Sequence, residues 1–165
     1  MRASSILWGV ALLPGMALAQ SLNWDLPSGH EFDVRRTWIN AGFYSAHFKR
    51  NAGLENVNPG LGFEYPLNDT YRLTAGTFHN SDRRQSHYLG LYVLPLEYRG
   101  VRFGAVVGGF DGYPQARNGG WFPALIPVMA IEGQNWGLNI AFVPEVRDRV
   151  HGAISFQLKY RFSKD

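Results

Sequence analysis

The sequence predicts an all-β protein, specifically an eight-stranded antiparallel up-and-down transmembrane β-barrel. Three observations lead to this fold class. Several segments alternate apolar and polar residues with a period of two, and short turns alternate with longer polar loops along the chain. The composition points the same way, because aromatic residues make up 15%, charged residues only 18%, and cysteine is absent. A closed barrel also leaves no unpaired strand edge in lipid.

The first 19 residues have the three parts of a secretory signal. Arg2 precedes an apolar run, and small residues lead up to Gln20. The run is shorter than the roughly 20 apolar residues that a spanning helix needs. We therefore expect a signal peptide over 1–19, a short N-terminal periplasmic segment over 20–36, and an outer-membrane β-barrel over 37–163.

The segment 150–162 gives the clearest strand. Every second residue from Gly152 to Phe162 is apolar or glycine, and the intervening residues are polar apart from Ala153. This pattern gives one apolar face and one polar face, over a length that suits a tilted strand crossing a bilayer. The same alternation is clear in 70–78 and 135–144. Noisier alternation predicts five more strands, at 37–48, 60–66, 87–97, 101–110 and 121–131.

The connections between these strands alternate in length. Short turns are expected near 68–69, 98–100 and 133–134, and longer polar loops near 49–59, 79–86, 111–120 and 145–149. This is typical of an outer-membrane barrel with short periplasmic turns and longer external loops. A soluble periplasmic barrel of the lipocalin type shares the alternation, but the apolar outward faces favour the membrane. The net charge of +3 is scattered, so nothing indicates a nucleic-acid partner.

Three prolines fall within or at the ends of the sixth and seventh predicted strands: Pro123, Pro127 and Pro144. Proline lacks the N–H that a strand ladder requires. A hairpin folded about 133–134 brings Pro123 and Pro144 roughly opposite each other, so we expect an incompletely hydrogen-bonded wall there. The run 121–131 is apolar on both faces, which suits a hydrocarbon pocket or the filled interior of a small barrel.

Residues that could support acyl transfer meet at the predicted external rim. The first strand carries His47 to this rim, and the third carries His79, Asn80 and Ser81. An imidazole can take the proton of an attacking hydroxyl while polar donors stabilise the oxyanion. Rim histidines are also common as hydrated loop residues, and loop serines as turn formers. Spacing alone leaves both interpretations open.

The stretch from Leu125 to Pro144, with the final strand after it, resembles the lipid A palmitoyltransferases (PagP). Both Pro127 and Pro144 match that family without a gap between them. The resemblance covers roughly 40–163 and is clearest in the last third. It implies an eight-stranded outer-membrane barrel that moves a palmitoyl chain from a phospholipid to lipid A, with an acyl pocket in its outer half and lateral openings beside prolines. We expect a monomer with no cofactor and no metal ion, whose donor enters between the sixth and seventh strands.

The resemblance implies catalytic roles for His47, Asn80, Ser81 and Asp82. The family's serine follows an aspartate in a Phe-x-Asp-Ser context, and the corresponding Phe-His-Asn-Ser of this chain ends at Ser81. Asn80 therefore stands in the place of the aspartate, and Asp82 could substitute for it in supporting His47, the expected general base. Ser81 would supply a hydroxyl or an oxyanion donor. The acyl-chain length, the acylated position of lipid A and the formation of an acyl-enzyme stay open.

Two other functions fit a small barrel. A structural or adhesive barrel without chemistry predicts a polar interior network and has no need of Pro127. A lipid A deacylase would carry its histidine and serine two residues apart on one strand. Here His151 and Ser155 of the last strand are four apart, which argues against the deacylase.

Overall fold

A computed structural model describes residue 29 and residues 32–146 and 149–162. The expected signal peptide, and most of the segment 20–36, lie outside these residues. Eight antiparallel strands form one closed barrel, in which each strand pairs with its sequence neighbours and the first with the last. The strands are β1 Trp38–His47, β2 Val57–Pro66, β3 Tyr71–His79, β4 Gln85–Tyr98, β5 Val101–Phe110, β6 Phe122–Glu132, β7 Trp136–Val143 and β8 Ala153–Tyr160. The predicted eight-stranded antiparallel up-and-down barrel is confirmed.

Helical structure is limited to two short 3-10 turns within the described part of the chain, Val34–Arg36 and Arg117–Gly119. The described residues contain no helix with the length and apolar character needed to cross a membrane. The first turn directly precedes β1. Asp33 caps it by accepting from the Arg35 backbone N–H at 3.0 Å.

Long and short connections alternate as predicted. The long ones span residues 48–56, 80–84, 111–121 and 144–152, and the short ones 67–70, 99–100 and 133–135. Because consecutive strands are antiparallel, all long loops lie at one end of the barrel, here called the loop end. The short turns lie at the other, here called the turn end.

Strand β2 begins three residues earlier than predicted, at Val57. The reason is a bulge: the β1–β2 register shifts between Ala41 and Phe43, and Pro59 lies in the shifted stretch of β2. A bulge leaves a residue outside the ladder, so proline is tolerated there although it reads as a strand boundary. Strand β8 begins later than predicted, at Ala153, because Val150 pairs with Val146 inside the preceding loop.

The outer surface of the barrel is apolar. In β8, Ser155, Gln157 and Lys159 are buried while Ile154 and Leu158 are exposed, as the alternation predicted. Other exposed apolar side chains include Leu61, Leu89, Val107, Leu125 and Phe142. Aromatic rings are exposed toward both ends of this surface, Tyr44, Phe48 and Trp121 near the loop end and Tyr98, Trp136 and Phe162 near the turn end. Such a barrel is compatible with an outer-membrane protein.

The half of the interior near the turn end, here called the turn half, is charged. Glu64 accepts from Arg72 Nη1 at 3.0 Å and from Lys159 Nζ at 2.8 Å. Glu132 accepts from the same two cations. Asn139 Nδ2 completes the cluster by donating to Glu64 Oε2 at 2.9 Å. These bonds satisfy charges that would be very costly to bury alone.

The half near the loop end, here called the loop half, is mostly aromatic. Five rings contact one another there with centroid separations of 4.9 to 6.5 Å: Phe43, Phe78, Tyr88, Phe110 and Phe122. They come from five different strands, so this packing ties together most of the wall below the long loops. The interior therefore changes from charged to apolar along the barrel axis.

Candidate functional site

His47 ends β1 at the loop end and is half-buried. Its Nδ1 lies 2.9 Å from Oδ1 of Asn56, which belongs to the loop before β2. Because an amide oxygen only accepts, this contact places the imidazole proton on Nδ1 and leaves Nε2 as an acceptor. The arrangement is that of a general base with an orienting partner. Sequence reasoning missed Asn56, since nothing in a polar loop distinguishes one asparagine from its neighbours.

His47, Ser81 and Asp82 line one small cavity at the loop end, here called the rim cavity. Tyr113, Arg149, Val150 and His151 complete its walls. Its volume of about 20 Å³ is close to the space of a single water molecule. The structure thus brings together three of the four predicted catalytic residues, one from the end of β1 and two from the loop between β3 and β4.

The loop that carries Ser81 is held by the first loop. The Glu55 backbone N–H donates to the Ser81 carbonyl at 3.1 Å. The Glu55 carboxylate also accepts from Arg83 Nε at 2.8 Å. Ser81 therefore keeps its place relative to the loop that carries Asn56. Ser81 and His47 both line the rim cavity.

Asn80, the fourth predicted catalytic residue, is buried, and its side chain bonds groups other than His47. Its Nδ2 donates to Ser86 Oγ at 2.8 Å and to the Gly112 carbonyl at 2.9 Å. Its Oδ1 accepts from the backbone N–H groups of Asp82 and Arg84 at 2.9 and 3.0 Å. These four bonds use the full capacity of the amide. Asn80 thus fixes the backbone beside Ser81, and the side chain that contacts His47 is Asn56.

Tyr113 adds a half-buried phenol to the rim cavity. Burial raises the pKa of Tyr113, and the negative charge of Asp82 raises it further. Its ring packs edge-on against Phe122 with centroids 5.8 Å apart. The third loop therefore covers the aromatic half of the interior and presents a protonated hydroxyl near Asp82. Sequence reasoning did not single out Tyr113.

The predicted defect in the wall lies between β6 and β7. Strand β6 pairs with β5 as far as Phe122, and β7 pairs with β8 as far as Val143. Across the β6–β7 seam, however, pairing ends at Val128↔Ala141. Pro127 is thus the first residue of β6 beyond the ladder. Continuing the register places Pro144 opposite Leu125, two residues from Pro123, so the two prolines are offset and both lie in the unpaired part.

The unpaired seam contains an apolar cavity of about 430 Å³, here called the seam cavity. It lies within the roughly 300–1,000 Å³ range of small-ligand pockets. Its walls come from β5, β6, β7 and two long loops: Phe110, Ala116, Arg117, Phe122, Pro123, Ala124, Leu125, Ile126, Val143, Pro144, Val146, Arg149 and Val150. Two of them, Arg149 and Val150, also line the rim cavity. The apolar seam and the polar rim are therefore adjacent.

His47 also faces a second cavity, of about 370 Å³, beside the first loop. Its other lining residues include Lys49, Arg50 and Asn56. His47 thus lies between the rim cavity on one side and a cavity bordered by Lys49 and Arg50 on the other. His79, one of the other rim histidines considered from the sequence, ends β3 with an exposed, outward-facing side chain.

Comparison with protein-family models gives no match for this chain, and a search of curated proteins gives none. Over the described ranges, no group of three or more histidine, aspartate or glutamate side chains is arranged to hold a metal ion.

Proposed function

We propose that this protein is an outer-membrane acyltransferase that moves a palmitoyl chain from a phospholipid to lipid A. One observation carries the proposal: an apolar cavity in an unpaired wall shares Arg149 and Val150 with a polar cavity lined by His47 and Ser81. An acyl chain in the first cavity would have its ester group next to the second. The resemblance to the lipid A palmitoyltransferases names the donor and the acceptor.

Placement in the outer membrane is supported by the outer surface. Apolar side chains such as Leu61, Leu89 and Leu125 are exposed along the wall, and aromatic side chains are exposed toward both ends. Both features are typical of barrels that face lipid. Long loops would then face the cell exterior, and His47, Ser81 and the seam cavity would lie at the level of the outer leaflet.

The proposed chemistry is acyl transfer by general base catalysis. Nε2 of His47 takes the proton from a lipid A hydroxyl, whose oxygen bonds to the ester carbonyl carbon of the donor. The Ser81 hydroxyl donates a hydrogen bond to the resulting oxyanion. When the carbon–oxygen bond to the glycerol breaks, His47 returns the proton to the leaving oxygen. Asn56 holds the imidazole in the tautomer that this sequence of proton transfers requires.

The test is the lipid A mass spectrum of cells with and without the gene, followed by purified variants. We expect a gain of one palmitoyl chain when the gene is expressed. The His47→Ala variant should lose about 10²–10⁴-fold in transfer rate. His79→Ala is the matched control, because its exposed side chain faces outward from a neighbouring strand and should leave the rate unchanged. Wild-type transfer by folded His47→Ala would contradict the proposal.

One observation favours a second candidate, a structural barrel without chemistry. The charged network of the turn half is the polar interior that such a barrel predicts. Unchanged lipid A in the same experiment would support it. Loss of an acyl chain would support a deacylase instead, although Ser155 is buried and bonds Ser45 Oγ at 2.9 Å, while His151 is exposed.

A further inference from the structure

Two arginines border the seam cavity at its loop end. Arg117 follows β5 and Arg149 precedes β8, and both side chains are exposed. Neither forms an ion pair with a carboxylate of the described residues. Among the described residues, the Arg117 side chain makes one long contact, from Nη1 to the Trp121 carbonyl at 3.4 Å. By contrast, Arg83 on the neighbouring loop is neutralised by Glu55 at 2.8 Å.

The cavity has a polarity that matches a phospholipid. Its deeper walls, from Phe122, Ile126 and Val143, are apolar, and they follow the strands. The arginines belong to the loops, so the positive charge lies only at the end where the strands stop. A lipid entering sideways from the outer leaflet would place its acyl chain along the strands and its phosphate level with the loops.

We propose that Arg117 and Arg149 bind the phosphate of the phospholipid whose acyl chain occupies the seam cavity. The identity of this lipid as an acyl donor rests on the proposed function. A guanidinium suits a phosphate because its planar N–H groups donate two parallel, charge-assisted hydrogen bonds to phosphate oxygens. The charge complementarity therefore selects a phospholipid over a neutral lipid with the same chains.

Arg149 also lines the rim cavity, so a phosphate bound to it would lie close to His47 and Ser81. In a phospholipid only the glycerol backbone separates the phosphate from the ester groups. Fixing the phosphate at Arg149 thus limits how far the chain can slide into the seam, and it holds an ester carbonyl near His47 and Ser81. Arg117 and Arg149 are positioning residues in this scheme, not groups that react.

Lipid binding tests the site without any need for catalysis. The purified barrel in non-ionic detergent would be offered phosphatidylglycerol and diacylglycerol of identical chains, and bound lipid would be measured by native mass spectrometry. We expect a preference of about tenfold or more for the phospholipid, lost in the Arg117→Gln/Arg149→Gln variant. The Arg84→Gln/Arg99→Gln variant removes the same charge elsewhere and should keep the preference. An unchanged preference in the first variant would overturn the proposal, as would preferred retention of a phosphorylated glycolipid over the phospholipid.

Activity then separates this site from the proposed function. A nitrophenyl ester of palmitate has the chain and the ester but no phosphate. We expect the arginine variant to lose about tenfold in kcat/KM with the phospholipid, mostly through KM, and to keep the wild-type value with the nitrophenyl ester. Equal losses with both donors would contradict the phosphate site. If the wild-type protein transfers from neither donor, the proposed function fails and the binding measurement alone decides the lipid site.

Discussion

The two halves of the barrel interior differ in chemistry, and the strand pairing of the wall between β6 and β7 differs between the same two halves. In the turn half, Glu64 and Lys159 are 0% and 1% exposed and are bonded to each other. The β6–β7 ladder is continuous there, from Glu132↔Gly137 to Val128↔Ala141. In the loop half the interior is mostly apolar, and the same seam is unpaired.

The difference follows from what each half can tolerate. Buried charges need every partner in place. If the wall opened around Glu64, lipid would contact charged groups that lipid cannot solvate. The free-energy cost of contact with hydrocarbon is far smaller for apolar rings. A barrel can therefore open sideways only in its apolar half, and the prolines at the seam remove hydrogen bonds in that half alone. The turn half supplies the stability against which the loop half can move.

The largest effect is expected from closing the seam. Cysteines at Ile126 and Val143, which both line the seam cavity and lie opposite each other in the extended register, would be joined by oxidation or by a short bis-maleimide. Because the donor would have to pass between these strands, transfer should fall to background and return on reduction of the disulfide.

The turn-half side of the same seam offers a matched control. Met129 and Ile140 are already paired in the ladder, so linking cysteines at these positions should leave transfer unchanged. Full activity in the verified Ile126–Val143 link would place entry elsewhere, with the bulge at Pro59 between β1 and β2 as the next seam to lock.

The second effect concerns stability in the turn half. Replacing Glu64 by alanine leaves Arg72 and Lys159 to share Glu132, and removing one partner of a buried ion pair typically costs about 3–5 kcal/mol. We expect the free energy of unfolding, measured by urea titration in lipid vesicles, to fall by that amount. Glu145→Ala, which breaks an exposed pair with Lys49, should cost less than about 1 kcal/mol. Similar losses in the two variants would show that the charged network does not stabilise the barrel.

The third prediction distinguishes two roles for residue 80: the hydrogen bonding of Asn80 seen in the structure, and the support of His47 that the family resemblance implies. Restoring the expected aspartate through Asn80→Asp removes the two N–H donors that bind Ser86 Oγ and the Gly112 carbonyl. A carboxylate would then face a carbonyl oxygen, so stability should fall by about 1–3 kcal/mol and transfer should fall with it. Asn80→Gln is not a rescue, because its longer side chain displaces the amide. Higher activity in folded Asn80→Asp would assign residue 80 a direct role at His47.

Sequence reasoning succeeded where one physical constraint acts on many successive residues. The alternation in β8 reflects an exposed apolar face and a buried polar face, so it can be read from residues alone. It failed at Pro59, where a bulge accommodates a residue that usually ends a strand. It also failed at Asn56, Tyr113 and Arg149, because their neighbours are brought to them by other loops and leave no spacing in the chain.

The smallest effect is expected at Asn56, whose side chain contacts His47. Removing its single bond to Nδ1 through Asn56→Ala should slow transfer about tenfold, because the imidazole loses its orientation and its fixed tautomer. Asn56→Asp supplies a readout that a merely structural residue would not change. A carboxylate at this position attracts the protonated imidazole and so disfavours the neutral base. The acid limb of the pH–rate profile should therefore move to higher pH in Asn56→Asp, with Asn51→Asp as a control in the same loop. An unmoved profile, with full activity in Asn56→Ala, would mean that another group orients His47.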